Sequence, residues 1–171
     1  MASTRTNVLA SVLFTLFGGP ALVLLYLPWT ITRFHLPTEE PLSQRIFAGV
    51  TIAGGLIPLI ESIVRFVVVG RGSLVPTVPT EHLVVSGLYR FVRNPMYVGV
   101  LTVIAGEALL FHSQHLLVYL GIIWLIIHCF VLFYEEPKLA RTYPAEYPRY
   151  RANVRRWIPR LTPWADSVPS K

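Results

Sequence analysis

Charge is scarce in this sequence. Only 14% of the 171 residues are Asp, Glu, Lys or Arg, where soluble domains carry about 25%. The few charges gather between and after long apolar runs. A bilayer selects that arrangement, because an ionised side chain at its centre costs several kcal/mol. Cysteine is scarcer still. Cys129 stands alone in an apolar run, where it behaves as a small hydrophobe, and no intrachain disulfide is open to it. With only five scattered histidines, the chain offers no metal-ligand spacing, and no metal is expected. Signals for cleavage or lipidation are missing too: no small-residue site follows the first apolar run, Ala2 stands where myristoylation needs glycine, and the chain ends Val-Pro-Ser-Lys. Attachment to the membrane is therefore expected through spanning segments.

What remains is apolar: 53% of the residues are hydrophobic and the mean hydropathy is +0.54. The pattern predicts an all-α integral membrane protein, a single membrane domain over 1–171. Four transmembrane helices are expected at about 8–29, 46–69, 95–111 and 116–134, or five if the first breaks at Gly18-Gly19-Pro20. About 20 residues cross a hydrocarbon core, so the third span is short. Only His112-Ser113-Gln114-His115 separates it from the fourth, which demands a tight antiparallel hairpin. A loop (70–94) and a tail (135–171) lie outside. With both termini cytoplasmic, 12 of the 15 Lys and Arg residues fall inside, Arg33 and Arg45 fall outside, and Arg65 lies within the second span. That bias sets the orientation. It also accounts for the +6 net charge, so no nucleic-acid partner is expected. The topology fits a bacterial inner membrane better than an organelle.

Polar groups inside the spans are the first candidates for chemistry. Glu61 and Arg65 form an i,i+4 pair. With His128 and Glu135, Arg65 falls at the inner edge of the bilayer, where the three can share a cavity; Glu107 falls at the other edge. Each has a bland reading: a self-satisfied ion pair with a snorkelling arginine for Glu61 and Arg65, and packing for His128 and Glu107. Two stretches say more. In LVVSGLYRFVRNPMYVG (83–99), Asn94 suits a helix cap, Pro95 a first turn and Tyr97 an interface. In EEPKLARTYPAEYPRYRANVRRWIPRL (135–161), Glu135 and Glu136 end a helix, where the dipole disfavours anions. That placement implies partners, such as nearby arginines or a bound cation; the bland reading is a pair of solvated juxtamembrane charges. Tyr147, Tyr150, Val154 and Trp157 recur at three- and four-residue steps, which predicts an amphipathic helix lying in the headgroup region.

Together the two stretches resemble the isoprenylcysteine carboxyl methyltransferase and phospholipid methyltransferase superfamily. The shared pattern runs through Gly87, Tyr89, Arg93, Asn94, Pro95 and Tyr97, then a helical hairpin, then Glu135-Glu136, Tyr147 and Tyr150, with Arg155, Arg156 and Pro159 beyond. The resemblance covers roughly Gly70 to Leu161. It implies an S-adenosyl-L-methionine site at the cytoplasmic membrane face, formed by the loop and the tail. The residues implied to bind the cofactor are Leu83, Val84, Ser86, Gly87, Leu88, Tyr89, Arg93, Asn94, Pro95, Met96, Tyr97 and Glu135. Glu135 suits the cofactor's amine or ribose diol, Arg93 its carboxylate, and Tyr89 or Tyr97 its sulfonium.

The acceptor implied is a lipophilic small molecule or lipidated group in the membrane, most like an isoprenylcysteine carboxylate. Its methylation needs alignment and exclusion of water rather than acid–base chemistry. Two positions depart from the pattern of the carboxyl methyltransferases: Asn94 replaces a histidine, and Val131 stands where an arginine holds the acceptor carboxylate. Only Arg65 is then left to bind that carboxylate. An aminophospholipid amine is the alternative acceptor, with Glu61 or Glu135 as base. A non-catalytic scaffold with a lipid-binding basic tail is the rival of another class.

Overall fold

The computed structural model describes residues 19–68, 83 and 85–165. Val84, residues 69–82, the first part of the opening span with Gly18, and residues 166–171 lie outside the described residues. Every described element is helical: α1 (Leu22–Thr32), α2 (Leu42–Val68), a 3-10 turn (Gly87–Arg90), α3 (Pro95–Leu110), α4 (Gln114–Phe130), α5 (Glu136–Thr142) and α6 (Glu146–Asn153). A π-turn over Val131–Glu135 joins α4 to α5 into one continuous helix, Gln114–Thr142.

Among the described residues two helices are long and apolar enough to cross a membrane, Leu42–Arg65 and Gln114–Thr142. Only 22% and 11% of their apolar windows are buried inside the protein, so neither is the core helix of a soluble domain. Ile46, Phe47, Val50, Ile57 and Ile60 on α2, and Leu117, Val118, Ile122, Leu125 and Ile126 on α4, point outward. A bilayer is the environment that covers such a surface. Pro95–Leu110 and Leu22–Thr32 are shorter apolar helices.

Helix α3 is central. It is apolar all round, as a helix enclosed by neighbours must be, and it packs chiefly on α2 with α4 behind it. Ala48 and Gly55 on α2 face Gly106 and Gly99 on α3, and the buried Ser62 continues the same seven-residue spacing along α2. A Cβ at Gly99 would lie 2.6 Å from the Gly55 carbonyl oxygen, and one at Gly55 2.8 Å from that of Gly99. The backbones touch, which is how membrane helices gain packing contacts without a hydrophobic drive between them. Leu24, Leu59, Val100, Val103 and Ile104 fill the core beside this crossing.

The hairpin between α3 and α4 is as tight as expected. His112 takes a left-handed φ of 46°, and the Ser113 side chain accepts from the Leu116 amide. Both π-turns precede a proline. Pro28 follows the π-turn Leu22–Tyr26, and Pro137 follows Val131–Glu135. A widened turn relieves the clash that a proline ring makes with the carbonyl four residues back.

Loop and tail form a second, smaller core at the end of the bundle. Tyr143, Tyr147, Tyr150 and Val154 are buried there, with Leu83, Val85 and Trp164 around them. Here the structure corrects the expected interfacial helix: α6 stops at Asn153, and its aromatic face packs on the loop rather than on lipid. The tail beyond α6 runs alongside the loop. The Arg93 amide donates to the Arg155 carbonyl, that of Arg160 to Phe91 and that of Trp164 to Arg90, each at 2.9 Å.

Candidate functional site

The C-terminal end of α2, the N-terminal end of α3 and the α4–α5 helix converge with the loop at one polar cluster. Glu61 and Arg65 sit one turn apart on α2 and are ion-paired. The Arg65 Nη1 also donates to the Ser86 hydroxyl at 3.1 Å. Gly87 follows with φ 54°, and a Cβ there would run into both Arg65 and Glu61. Only glycine takes that conformation against that pair without strain.

Tyr89 is buried beside the Ser62 hydroxyl and within range of the Glu61 and Glu135 carboxylates. Burial pushes its phenol well above the usual tyrosine range, so it stays protonated at physiological pH. Its carbonyl accepts from the Tyr150 hydroxyl at 2.7 Å, and burial holds the Tyr150 phenol up as well. From α3, the Tyr97 hydroxyl donates to Glu135 Oε2 at 3.1 Å. One oxygen of Glu61, Oε2, is buried without a partner among the described residues.

A second cluster lies against the first and ties the tail to the loop. Glu136, 5% exposed, accepts from Arg156 Nε at 2.6 Å and Nη2 at 2.9 Å, and its Oε1 lies 3.0 Å from Arg93 Nη1. The bidentate carboxylate holds the Arg156 guanidinium above its ordinary pKa, and Arg93 also donates to the Tyr147 hydroxyl at 3.3 Å. The two adjacent carboxylates thus have different surroundings: Glu135 faces α3, and Glu136 faces two arginines. Neither lies at a helix end as the sequence suggests, because the π-turn carries the helix on to Thr142. The expected arginine partners are present for Glu136.

Of the residues singled out from the sequence, Arg65, Ser86, Gly87, Tyr89, Tyr97 and Glu135 come together. Arg93 and Asn94 turn toward the tail. The Asn94 side chain does not cap α3 but donates to the Arg156 carbonyl at 3.2 Å. Leu83 belongs to the tail core, and Met96 packs on the helix core beside the buried Pro95. Leu88 contributes its carbonyl to the Phe91 and Val92 amides. His128 does not join the cluster: its ring stacks on Trp124 and accepts from Trp157 Nε1 at 3.2 Å. Glu107 lies ten residues along α3 from Tyr97, about 15 Å away, buried near the hairpin. Ser62 was not foreseen; its only signal is the seven-residue spacing from Ala48 and Gly55. No group of metal-ligating side chains occurs among the described residues.

The region that builds this cluster is also the region that matches a known family. Residues 53–146 match the family model described as phospholipid methyltransferase, over more than half of the chain. No curated protein and no solved structure matches. The matched span holds Glu61, Arg65, the loop turn, α3, the hairpin and the Glu135-Glu136 pair, in the order of the motifs read from the sequence. The chain therefore belongs to the phospholipid methyltransferase family, within the superfamily of membrane methyltransferases that also includes the isoprenylcysteine carboxyl methyltransferases.

Proposed function

We propose that the chain methylates the amine of a membrane aminophospholipid, with S-adenosylmethionine as methyl donor. Membership of the family makes it a membrane methyltransferase; the acceptor is inferred from the charge of the cluster. One observation carries it: Arg65, the cation left to hold an acceptor carboxylate, is engaged by Glu61 and Ser86. A carboxylate acceptor would have to displace Glu61 and lie near Glu135. An amine meets the opposite situation, with two carboxylates nearby and an unpartnered oxygen on one of them. The sequence alone favours an isoprenylcysteine carboxylate, and this ion pair is the reason to prefer the amine.

The residues present suit the cofactor. Glu135, already oriented by Tyr97, can accept from its amine or ribose diol. Ser86, Gly87 and Tyr89 offer a wall where no Cβ intrudes at Gly87. Arg93 keeps a buried Nε, without a partner among the described residues, for a carboxylate. When bound, the cofactor supplies a methyl group on a sulfonium sulfur. Glu61 Oε2 takes the proton that an ammonium acceptor must lose before its nitrogen lone pair can attack. Tyr89, protonated and buried, shields the cluster from water.

Reconstituted protein tests this with methyl-labelled S-adenosylmethionine and vesicles containing phosphatidylethanolamine, beside a farnesylcysteine acceptor. Label is expected in the phospholipid. Glu61→Gln should lose about 100-fold or more in kcat while calorimetry shows cofactor binding retained. Label in the farnesylcysteine alone, or full turnover by Glu61→Gln, would sink the amine reading.

A further inference from the structure

The helix Gln114–Thr142 ends with two differently used faces. Glu135 and Glu136 turn inward, to Tyr97 and to Arg93 and Arg156. Away from them, Phe133, Tyr134, Pro137, Lys138, Arg141 and Thr142 line a cavity of about 350 Å³. Three- and four-residue steps bring these side chains together along the helix. Phe133 is 74% exposed, and Tyr134, Arg141 and Thr142 are exposed as well.

We propose that this cavity binds the phosphodiester headgroup of an acidic glycerophospholipid. The order of side chains along the axis matches a lipid's own: aromatic rings first, where the apolar span ends, then Lys138 one turn and Arg141 two turns beyond Tyr134. No carboxylate lines the cavity. The Lys138 ammonium lies over the Tyr134 ring, 5.8 Å from its centroid, which holds it at the rim. The Thr142 hydroxyl donates to the Lys138 carbonyl at 2.9 Å, so the anion is recognised by Lys138 and Arg141. Free phosphate would have no use for the walls formed by Phe133, Tyr134 and Pro137. A lipid uses them for its glycerol and ester region, at the depth where aromatic residues sit in membranes. The Lys138 ammonium is also within electrostatic range of Glu135, so the cavity adjoins the methyl acceptor's cluster, but the lipid assignment does not depend on that of the acceptor.

Native mass spectrometry of the detergent-purified full chain tests it, titrating phosphatidylglycerol, phosphatidylcholine and inorganic phosphate. Phosphatidylglycerol should be retained at about 25-fold lower concentration than phosphatidylcholine, and millimolar phosphate should not displace it. Each cation contributes about fivefold, so Lys138→Gln with Arg141→Gln should abolish the preference. If the double variant does not fold, Arg141→Gln alone, at an exposed position, should lose about fivefold. Equal retention of the two lipids, displacement by phosphate, or an unchanged preference in the variants would overturn the proposal.

Discussion

Replacing Arg156 by methionine removes both bonds of its fork to Glu136 and keeps most of the side chain's volume. The wild-type bonds are short, 2.6 and 2.9 Å, to a carboxylate whose side chain is 6% exposed. Fully stranding a buried charge costs about 3–5 kcal/mol. Here Arg93 stays 3.0 Å from the same carboxylate, so the charge is not stranded. Arg156 itself is 22% exposed, which screens the pair further. An expected cost of about 2 kcal/mol follows, within the range for hydrogen bonds to charged groups. For a chain of this length each kcal/mol lowers Tm by about 2–4 °C, so thermal unfolding in detergent should shift down by about 4–8 °C. Tryptophan fluorescence is the suitable readout, because Trp157 and Trp164 sit in the tail. Glu136→Gln combined with Arg156→Met should be less harmful than the sum of the two, with a coupling of about 1.5 kcal/mol or more. A Tm within one degree of wild type, or strictly additive effects, would refute the idea that this fork fastens the tail.

Three further outcomes are expected. Gly99→Ala places a methyl 2.6 Å from the Gly55 carbonyl oxygen and 2.9 Å from the Leu59 nitrogen; it should cost about 1–3 kcal/mol in thermal unfolding. Gly49→Ala, whose Cβ meets nothing within 4 Å, should be nearly neutral, and similar losses for both would undo the close-crossing argument. Gly87→Ala should weaken S-adenosylmethionine binding about tenfold or more (1.4 kcal/mol) by calorimetry; unchanged affinity would remove the turn from the cofactor site. His128→Ala takes the acceptor from Trp157 and should cost about 1 kcal/mol of stability with methyl transfer largely kept, whereas a tenfold loss of turnover in a folded variant would return His128 to the site.

The helical segments were legible because long apolar runs with charges at their ends have few alternatives. The Glu61–Arg65 pair and the tight hairpin were legible for local reasons, a four-residue step and a very short connection. That Tyr97 and Glu135 share one site was implied by the family resemblance alone, since nothing local links residues 38 apart. Other features escaped because the same pattern serves two ends. Aromatic residues at helical spacing in the tail can face lipid or a loop, and here Tyr147 and Tyr150 face the loop. Asn94 has a capping residue's chemistry, but its amide serves the Arg156 carbonyl instead. Which glycines touch cannot be read from one chain, so the Gly55–Gly99 crossing emerged only in three dimensions. Likewise a proline after a helix reads as a stop, and the π-turn before Pro137 lets the helix continue.

The tail's backbone pairing with the loop has a consequence for how the molecule is made. Glu136 follows directly on a membrane helix, whereas Arg156 is synthesised twenty residues later. During translation the bundle can assemble while this carboxylate has only Arg93 for company, and the strip from Arg155 to Trp164 must then be laid along the loop last. Docking of the tail on the loop is thus expected late in biogenesis. A chain that ended shortly after Glu146 would lack both the Arg156 fork and the Arg155–Trp164 strip, and would leave Glu136 against Arg93 with the Arg90–Arg93 edge of the loop uncovered.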